Sequence, residues 1–172
     1  SLYRKAFHQR GRKHMEDFVS RYEKIYPKMY RTAYYYLQNR QEAEDAVADA
    51  VLTAYEKQEQ LKDTEKFEQW MMRILVNRCK KRMKTWFKKE EPMDSFLDSA
   101  HKGALQDMDL AEVSAVKQVF WELKEEERFI VALSVLGGYT SEEIAYILHK
   151  NHSTVRSKYR RALQKMREKL EV

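Results

Sequence analysis

The stretch YTSEEIAYILHKNHSTVRSKYRRALQKMREKL, Tyr139 to Leu170, decides how the rest of the chain is read. Thr140 followed three residues later by Glu143 is a capping-box signature, so a short helix is expected to start there and run through Leu148. His149 to His152 leaves room only for a tight connection, and a longer helix should follow from about Ser153 to Leu170. A short helix, a turn of three or four residues and a longer basic helix form the arrangement that docks in a DNA major groove. Ile144, Ala145, Leu148 and Val155 would supply the inner contacts, with small Ala145 where the two helices cross. Thr154, Arg156, Ser157, Lys158, Arg160 and Arg161 would then face outward. Arg can bridge the two acceptors of a guanine edge, while Lys, Ser and Thr hold phosphates.

Working outward from this segment, the chain reads as helical throughout. Phe18, Tyr22, Ile25, Met29, Ala33 and Leu37 fit one helical stripe over about 16–38, with Pro27 expected to kink or break it near Tyr26. A second helix, about 41–57, has Ala43, Val47, Ala50 and Ala54 on its inner face and Glu42, Asp45, Asp49 and Glu56 on its outer one. A third, about 66–86, turns Phe67, Ile74, Leu75, Cys79 and Met83 inward and lines its other side with Arg73, Asn77, Lys80, Lys81 and Lys84. From Phe87 to Asp109 periodicity disappears and Pro92 and Gly103 occur, which predicts a flexible linker. Helical spacing returns over 110–121 and 125–136, ended by Gly137-Gly138. The expected fold is all-α. A three-helix N-terminal bundle (15–86) and a four-helix C-terminal domain with the helix-turn-helix (110–172) are joined by the linker 87–109. The first fourteen residues are expected to be a disordered basic arm or an expression remnant.

Composition agrees. Among 172 residues there are only four Gly and two Pro, and 35% are charged, which favours helices with short connections. No apolar run reaches the ~18 residues of a membrane span and no signal-peptide core is present, so a cytoplasmic chain without its own membrane insertion is expected. Cys79 stands alone, so neither an intrachain disulfide nor a cysteine zinc site can form, and a small buried hydrophobe is the expected role.

The net charge of +6 is sorted into blocks. Gln41 to Glu68 holds nine acids and three bases, whereas Arg73 to Lys89 has eight bases and no acid. Glu90 to Glu127 holds eleven acids against three bases, and Lys150 to Val172 returns to eight bases against two acids. Such alternation suits a chain that touches nucleic acid twice while keeping its other surface away from phosphate. Trp70 is expected in the core, and Trp86 and Phe87 are left open between core and base-stacking roles. The acidic face of the second helix lacks matching ligands on its neighbours, and His149 and His152 have no companion ligands, so no metal and no cofactor are expected. No phosphate-cradling loop and no nucleophile-base pair is present, and the chain is read as a non-enzyme.

With these residues placed, the chain resembles a bacterial RNA polymerase sigma factor of the extracytoplasmic function group, the short type in the sigma-70 family with only the second and fourth conserved regions. Three segments carry the resemblance. In QEAEDAVADAVLTAYE (41–56), Glu44, Asp45 and Asp49 match the acidic helix that engages the clamp helices of the polymerase β′ subunit. KFEQWMMRILVNRCKKRMK (66–84) is similar to the family's aromatic-basic helix beside the minus-ten element, and 58–66 would form the pocket for an extruded base. Tyr139 to Leu170 is similar to the minus-thirty-five reader. The resemblance implies a dissociable subunit that binds core polymerase (β′ clamp helices and β subunit) and promoter DNA, and that is controlled by an anti-sigma factor. Polymerase contact would fall to Glu44, Asp45 and Asp49, minus-ten contact to Arg73, Asn77, Lys80, Lys81 and Lys84, and minus-thirty-five contact to the outward residues from Thr154 to Arg161. Two departures stand out: His149 occupies a turn position where the family often has Gly, and Lys150 replaces an apolar residue beside it. The competing readings are a stand-alone helix-turn-helix regulator and an all-α nucleotide hydrolase using Glu42, Asp45 and Asp49 with magnesium.

Overall fold

The computed structural model describes residues 2–88 and 110–171, with side chains over 11–85 and 114–171. Helices α1 (Leu2–Leu37), α2 (Arg40–Lys57) and α3 (Phe67–Lys88) come first, followed by α4 (Leu110–Glu122), α5 (Glu125–Val135), α6 (Ser141–Leu148) and α7 (His152–Leu170). Two short 3₁₀ turns, Gln58–Gln60 and Thr64–Lys66, join α2 to α3. The described residues contain no strand, and the chain is all-α as expected.

Small side chains set the spacing of the N-terminal helices. Ala43, Ala46, Ala50 and Ala54 of α2 are fully buried, as is Ala33 of α1, which allows close backbone approach. Met29, Met71, Met72 and Leu75 fill the space between α1 and α3. Cys79 lies in this layer with no exposed surface, and burial pushes its thiol up to about 12, so it behaves as an inert small hydrophobe.

Two expectations about α1 are corrected. The helix passes through Pro27 without interruption, because Phe18 and Ile25 on one side and Met29 and Ala33 on the other bury one continuous face. That shared packing outweighs the single hydrogen bond the exposed proline removes. Residues 2–14, expected as a disordered arm, extend the same helix; Ala, Arg, Lys and Gln there are good helix formers. The expected linker also begins later, since α3 runs to Lys88 and takes in Phe87. Its remainder, 89–109, lies outside the described residues, as do the side chains of Trp86 and Phe87.

In the C-terminal helices the local signals read from the sequence hold. Thr140 Oγ1 accepts from Glu143 N at 3.2 Å and Thr140 N donates to Glu143 Oε2 at 2.8 Å, a complete capping box at the start of α6. Gly138 is left-handed (φ 68°) and ends α5, while a Cβ at Gly137 would meet the Tyr139 ring at 2.5 Å. His149 caps α6 in the left-handed region (φ 55°, ψ 51°), the conformation for which glycine is the usual residue. Lys150 N then donates to Ala145 O at 2.9 Å, which turns the chain tightly into α7. Val155 and Ala162 anchor α7 and are buried.

The two groups of helices are not separate in this structure. One apolar cluster runs without a gap from Phe18 of α1 to Val155 of α7, with α3 packed on α6 and α1 on α5. Tyr36 of α1 stacks on Phe129 of α5 with ring centroids 3.9 Å apart and planes at 19°. Its hydroxyl donates to Glu125 at 3.1 Å. Burial, and then Glu125, push its phenol far above the ordinary range, so it stays protonated. Tyr35 meets Phe120 of α4 edge-on at 4.7 Å.

A left-handed histidine costs on the order of 1 kcal/mol relative to glycine. His149→Gly is therefore expected to raise stability by roughly 0.5–1 kcal/mol, net of the greater freedom glycine has when unfolded. The midpoint of urea unfolding checks this, and an unchanged or lower midpoint would show that the turn is unstrained.

Candidate nucleic-acid interface

The acidic residues of α2 divide between two jobs that the sequence could not separate. Glu42 accepts from Arg82 of α3 at 2.8 Å, and Asp49 pairs with Arg78 at 3.5 Å. Glu42 is therefore turned toward α3, with its side chain 29% exposed, which corrects the single acidic face read for this helix, whereas Asp49 reaches Arg78 while keeping 43% of its side chain exposed. Arginines hold these carboxylates where a hydrolase would need magnesium. Asp45 accepts from Gln41, one turn back, at 2.9 Å, and Glu44 pairs with exposed Arg40 at 3.1 Å. These two remain available at the surface.

Beside Glu44 runs a feature that the sequence reading missed. An apolar groove of about 450 Å³ lies between the N-terminal half of α1 and α2. Met15, Tyr26 and Leu52 along it are 50%, 42% and 58% exposed, high for apolar side chains, and Glu44 stands at its edge. Its signal in the sequence was Leu52, an apolar residue off the buried alanine stripe.

The basic stripe of α3 is likewise split. Asn77, Lys81 and Lys84 are exposed. Arg73 is instead engaged by α6: it donates to the Tyr146 carbonyl from Nη2 at 2.6 Å and from Nε at 3.2 Å, and its guanidinium lies 4.3 Å from the Tyr146 ring centroid. Lys80 lies 5.4 Å from the Phe129 ring centroid. Lys66, at the start of this segment, faces the Tyr146 ring at 5.5 Å. Two residues on, Glu68 accepts from Tyr139 Oη at 2.9 Å and from Lys28 at 3.0 Å. Trp70 is half-buried against the core beside Phe67.

On α7, Arg156, Ser157, Arg160 and Arg161 are exposed and Thr154 is half-buried near the helix start. Lys158, read as outward, is corrected: its ammonium donates to Glu126 of α5, which also faces Lys150 at 3.7 Å. Lys165 bonds Glu127 at 2.9 Å. These pairs fix α7 on α5 and leave the arginines as its free face. Lys150 thus acts as a partner for Glu126 at the position where the family resemblance places an apolar residue.

Residues 21–86 match the family model for sigma-70 region 2, and residues 115–166 match that for sigma-70 region 4. The chain belongs to the sigma-70 family. Region 2 covers most of α1 with α2 and α3, and region 4 covers α4 to α7, the two-region organisation of the extracytoplasmic function group. Among curated proteins the sigma chain is similar to "RNA polymerase sigma factor SigV" of Bacillus subtilis, at 29% identity over 142 residues, covering 80% of this chain and 81% of the relative. Its fold is shared with the sigma factor RpoE of Bartonella quintana, solved in complex with the anti-sigma factor NepR (TM-score 0.73, 22% identity, 91% of this chain and 98% of that one). It is also shared with CnrH, solved in complex with the cytosolic domain of CnrY (TM-score 0.70, 16% identity, 91% and 89%).

The region 4 ion pairs carry a pH dependence. The hydrogen bond from Lys158, opposed by burial, holds the Glu126 carboxyl below its ordinary value of 4.5. For Glu127 burial pushes upward, but the bonds from Lys165 and Lys124 N win, and it too is lowered. A depressed carboxylate stabilises the fold above its unfolded pKa, and that contribution is lost as pH falls through the folded value. Stability should therefore be flat above about pH 5 and decline below it. Glu126→Gln should lower the plateau and flatten the acid limb. Urea midpoints across this range check it, and an acid limb identical in the variant would remove Glu126 from the account.

Proposed function

We propose that this sigma factor is a dissociable promoter-specificity subunit, with Glu44 and Asp45 of α2 docking on core RNA polymerase and α3 and α7 each meeting one promoter element. In this reading region 2 (15–86) and region 4 (110–172) act as two domains when the template is bound. The segment between them spans the distance between elements, and tethering raises the joint affinity of two weak sites. The observation that carries the reading is the presentation of Arg156 and Arg160 on α7, seated behind a fully capped α6, in a chain that matches region 4 there.

The remaining residues take roles by charge and position. Thr154, Ser157 and Arg161 flank the two arginines and suit phosphate or base contact, and Lys158 fixes the helix from behind. Asn77, Lys81 and Lys84, with Arg73 and Lys80, suit the backbone of an opened strand at the minus-ten element. The groove beside Glu44 suits the apolar side of a partner helix whose basic residues reach Glu44 and Asp45, as the polymerase β′ clamp helices would. The β subunit is the expected partner of region 4. Asp49, tied to Arg78, contributes to polymerase binding mainly by holding α2 on α3. Similarity to sigma factors solved with anti-sigma factors supports an anti-sigma partner here too, and such a chain works in the cytoplasm.

Replacing Glu44 and Asp45 together with Lys is expected to weaken core polymerase binding by at least about tenfold while leaving the helical fold intact, since among the described residues their hydrogen bonds are to Arg40 and Gln41 of their own helix. Arg156→Ala or Arg160→Ala should lower discrimination at one upstream base pair by about 1–3 kcal/mol. Polymerase pull-down and transcription in vitro from a promoter library check both. Unchanged polymerase binding would remove the acidic pair, and unaltered base preference would remove the arginines from the reader.

A further inference from the structure

Arg73 is the residue of the α3 stripe that points most directly at a partner, and in this structure the partner is the protein's own helix-turn-helix. The Tyr146 carbonyl belongs to the last turn of α6, where helix carbonyls lack intrahelical donors and the helix dipole is negative. His149 N reaches it at 3.3 Å, and Arg73 supplies the two shorter bonds at 2.6 and 3.2 Å. The Tyr146 ring faces the Arg73 guanidinium at 4.3 Å and the Lys66 ammonium at 5.5 Å, so two cations share one aromatic side chain. The Tyr139 hydroxyl on Glu68, and the Lys80 ammonium toward Phe129, extend the same contact along α3. An acceptor oxygen and an aromatic face held against a row of cations are the two groups that a single-stranded nucleic acid offers: phosphate oxygen and base.

We infer that α6 is an internal competitor for the minus-ten strand, with Tyr146 occupying Arg73 and Lys66 until nucleic acid displaces it. This rests on the reading of α3 as a strand-binding face. Displacement has a second effect, because it strips the last turn of α6 of its capping cation at the point where the chain turns into α7. Region 4 is thus freed by the event that loads region 2. Exposed Asn77, Lys81 and Lys84 remain as the landing site from which a strand can advance toward Arg73. If about nine-tenths of molecules are closed, the apparent affinity of the stripe is about tenfold below its intrinsic value.

The test uses the full-length chain and a short single-stranded DNA of mixed sequence. Tyr146 is half-buried on the surface of α6, so Tyr146→Ala and Tyr146→Lys should keep the fold, as circular dichroism will show. In the wild type, phenylglyoxal should modify Arg73 slowly. Both variants should increase that rate, enlarge the radius of gyration in small-angle scattering and tighten DNA binding, by about tenfold for Lys and less for Ala, which adds no charge. Lys84→Ala, outside the contact, separates the two ideas. If it weakens binding while the Tyr146 variants open without any gain, the competition is overturned and α3 keeps its role. If Lys84→Ala has no effect and opening brings no gain, the strand-binding reading of α3 fails as well. A wild type in which phenylglyoxal modifies Arg73 as fast as it does an exposed arginine would show that the latch does not form in solution.

Discussion

The contact of α3 and α1 with α5 and α6 is the constraint on which the rest of the structure depends. Tyr36 stacked on Phe129 gives it an apolar centre, worth about 0.5–1.5 kcal/mol beyond burial for the aromatic pair. Around that centre the polar groups are matched: Tyr36 with Glu125, Tyr139 with Glu68, Arg73 with the Tyr146 carbonyl. Burial holds the two phenols protonated, the state in which they donate these bonds. A sheltered polar group without a partner would cost about 1–3 kcal/mol, so the pairs register the two regions on each other as well as joining them.

That registration reorganises the meaning of the charge blocks. The acids of α2 and the bases of α3 are far apart in sequence, yet Glu42 with Arg82 and Asp49 with Arg78 use part of each block to hold region 2 together. In region 4, Glu126 and Glu127 take Lys158 and Lys165 in the same way. What is left over faces outward: Glu44 beside an apolar groove, Asp45 next to it on α2, the outer lysines of α3, and Arg156 and Arg160 on α7.

The sequence was most legible where a single short-range signal suffices. The capping box at Thr140 and Glu143, the alanine face of α2 and the Gly137-Gly138 stop each lie within one helical turn or two, and each is found as read. His149 was marked by the resemblance, which often has Gly at that turn, and its left-handed backbone is found there. Periodicity identifies a face but not its neighbour, which is why Glu42, Asp49 and Lys158 were assigned to solvent when each reaches a residue at least 29 positions away. Pro27 was overestimated as a breaker because tertiary burial on both sides, not local propensity, decides whether α1 continues. The contact of Arg73 with Tyr146 has no sequence signature, since both residues have adequate roles within their own helices.

Under the proposed function, polymerase and template would be agents of opening as well as ligands, because region 4 covers part of region 2 in this structure. Fluorescent dyes on Thr85→Cys and Gln164→Cys, at exposed positions of α3 and α7, would report the separation of the two regions, since buried Cys79 stays unlabelled. A short distance in the free chain and a clearly longer one in the complex with core polymerase and promoter DNA is the predicted result. The same short distance in a complex that initiates transcription would contradict the account.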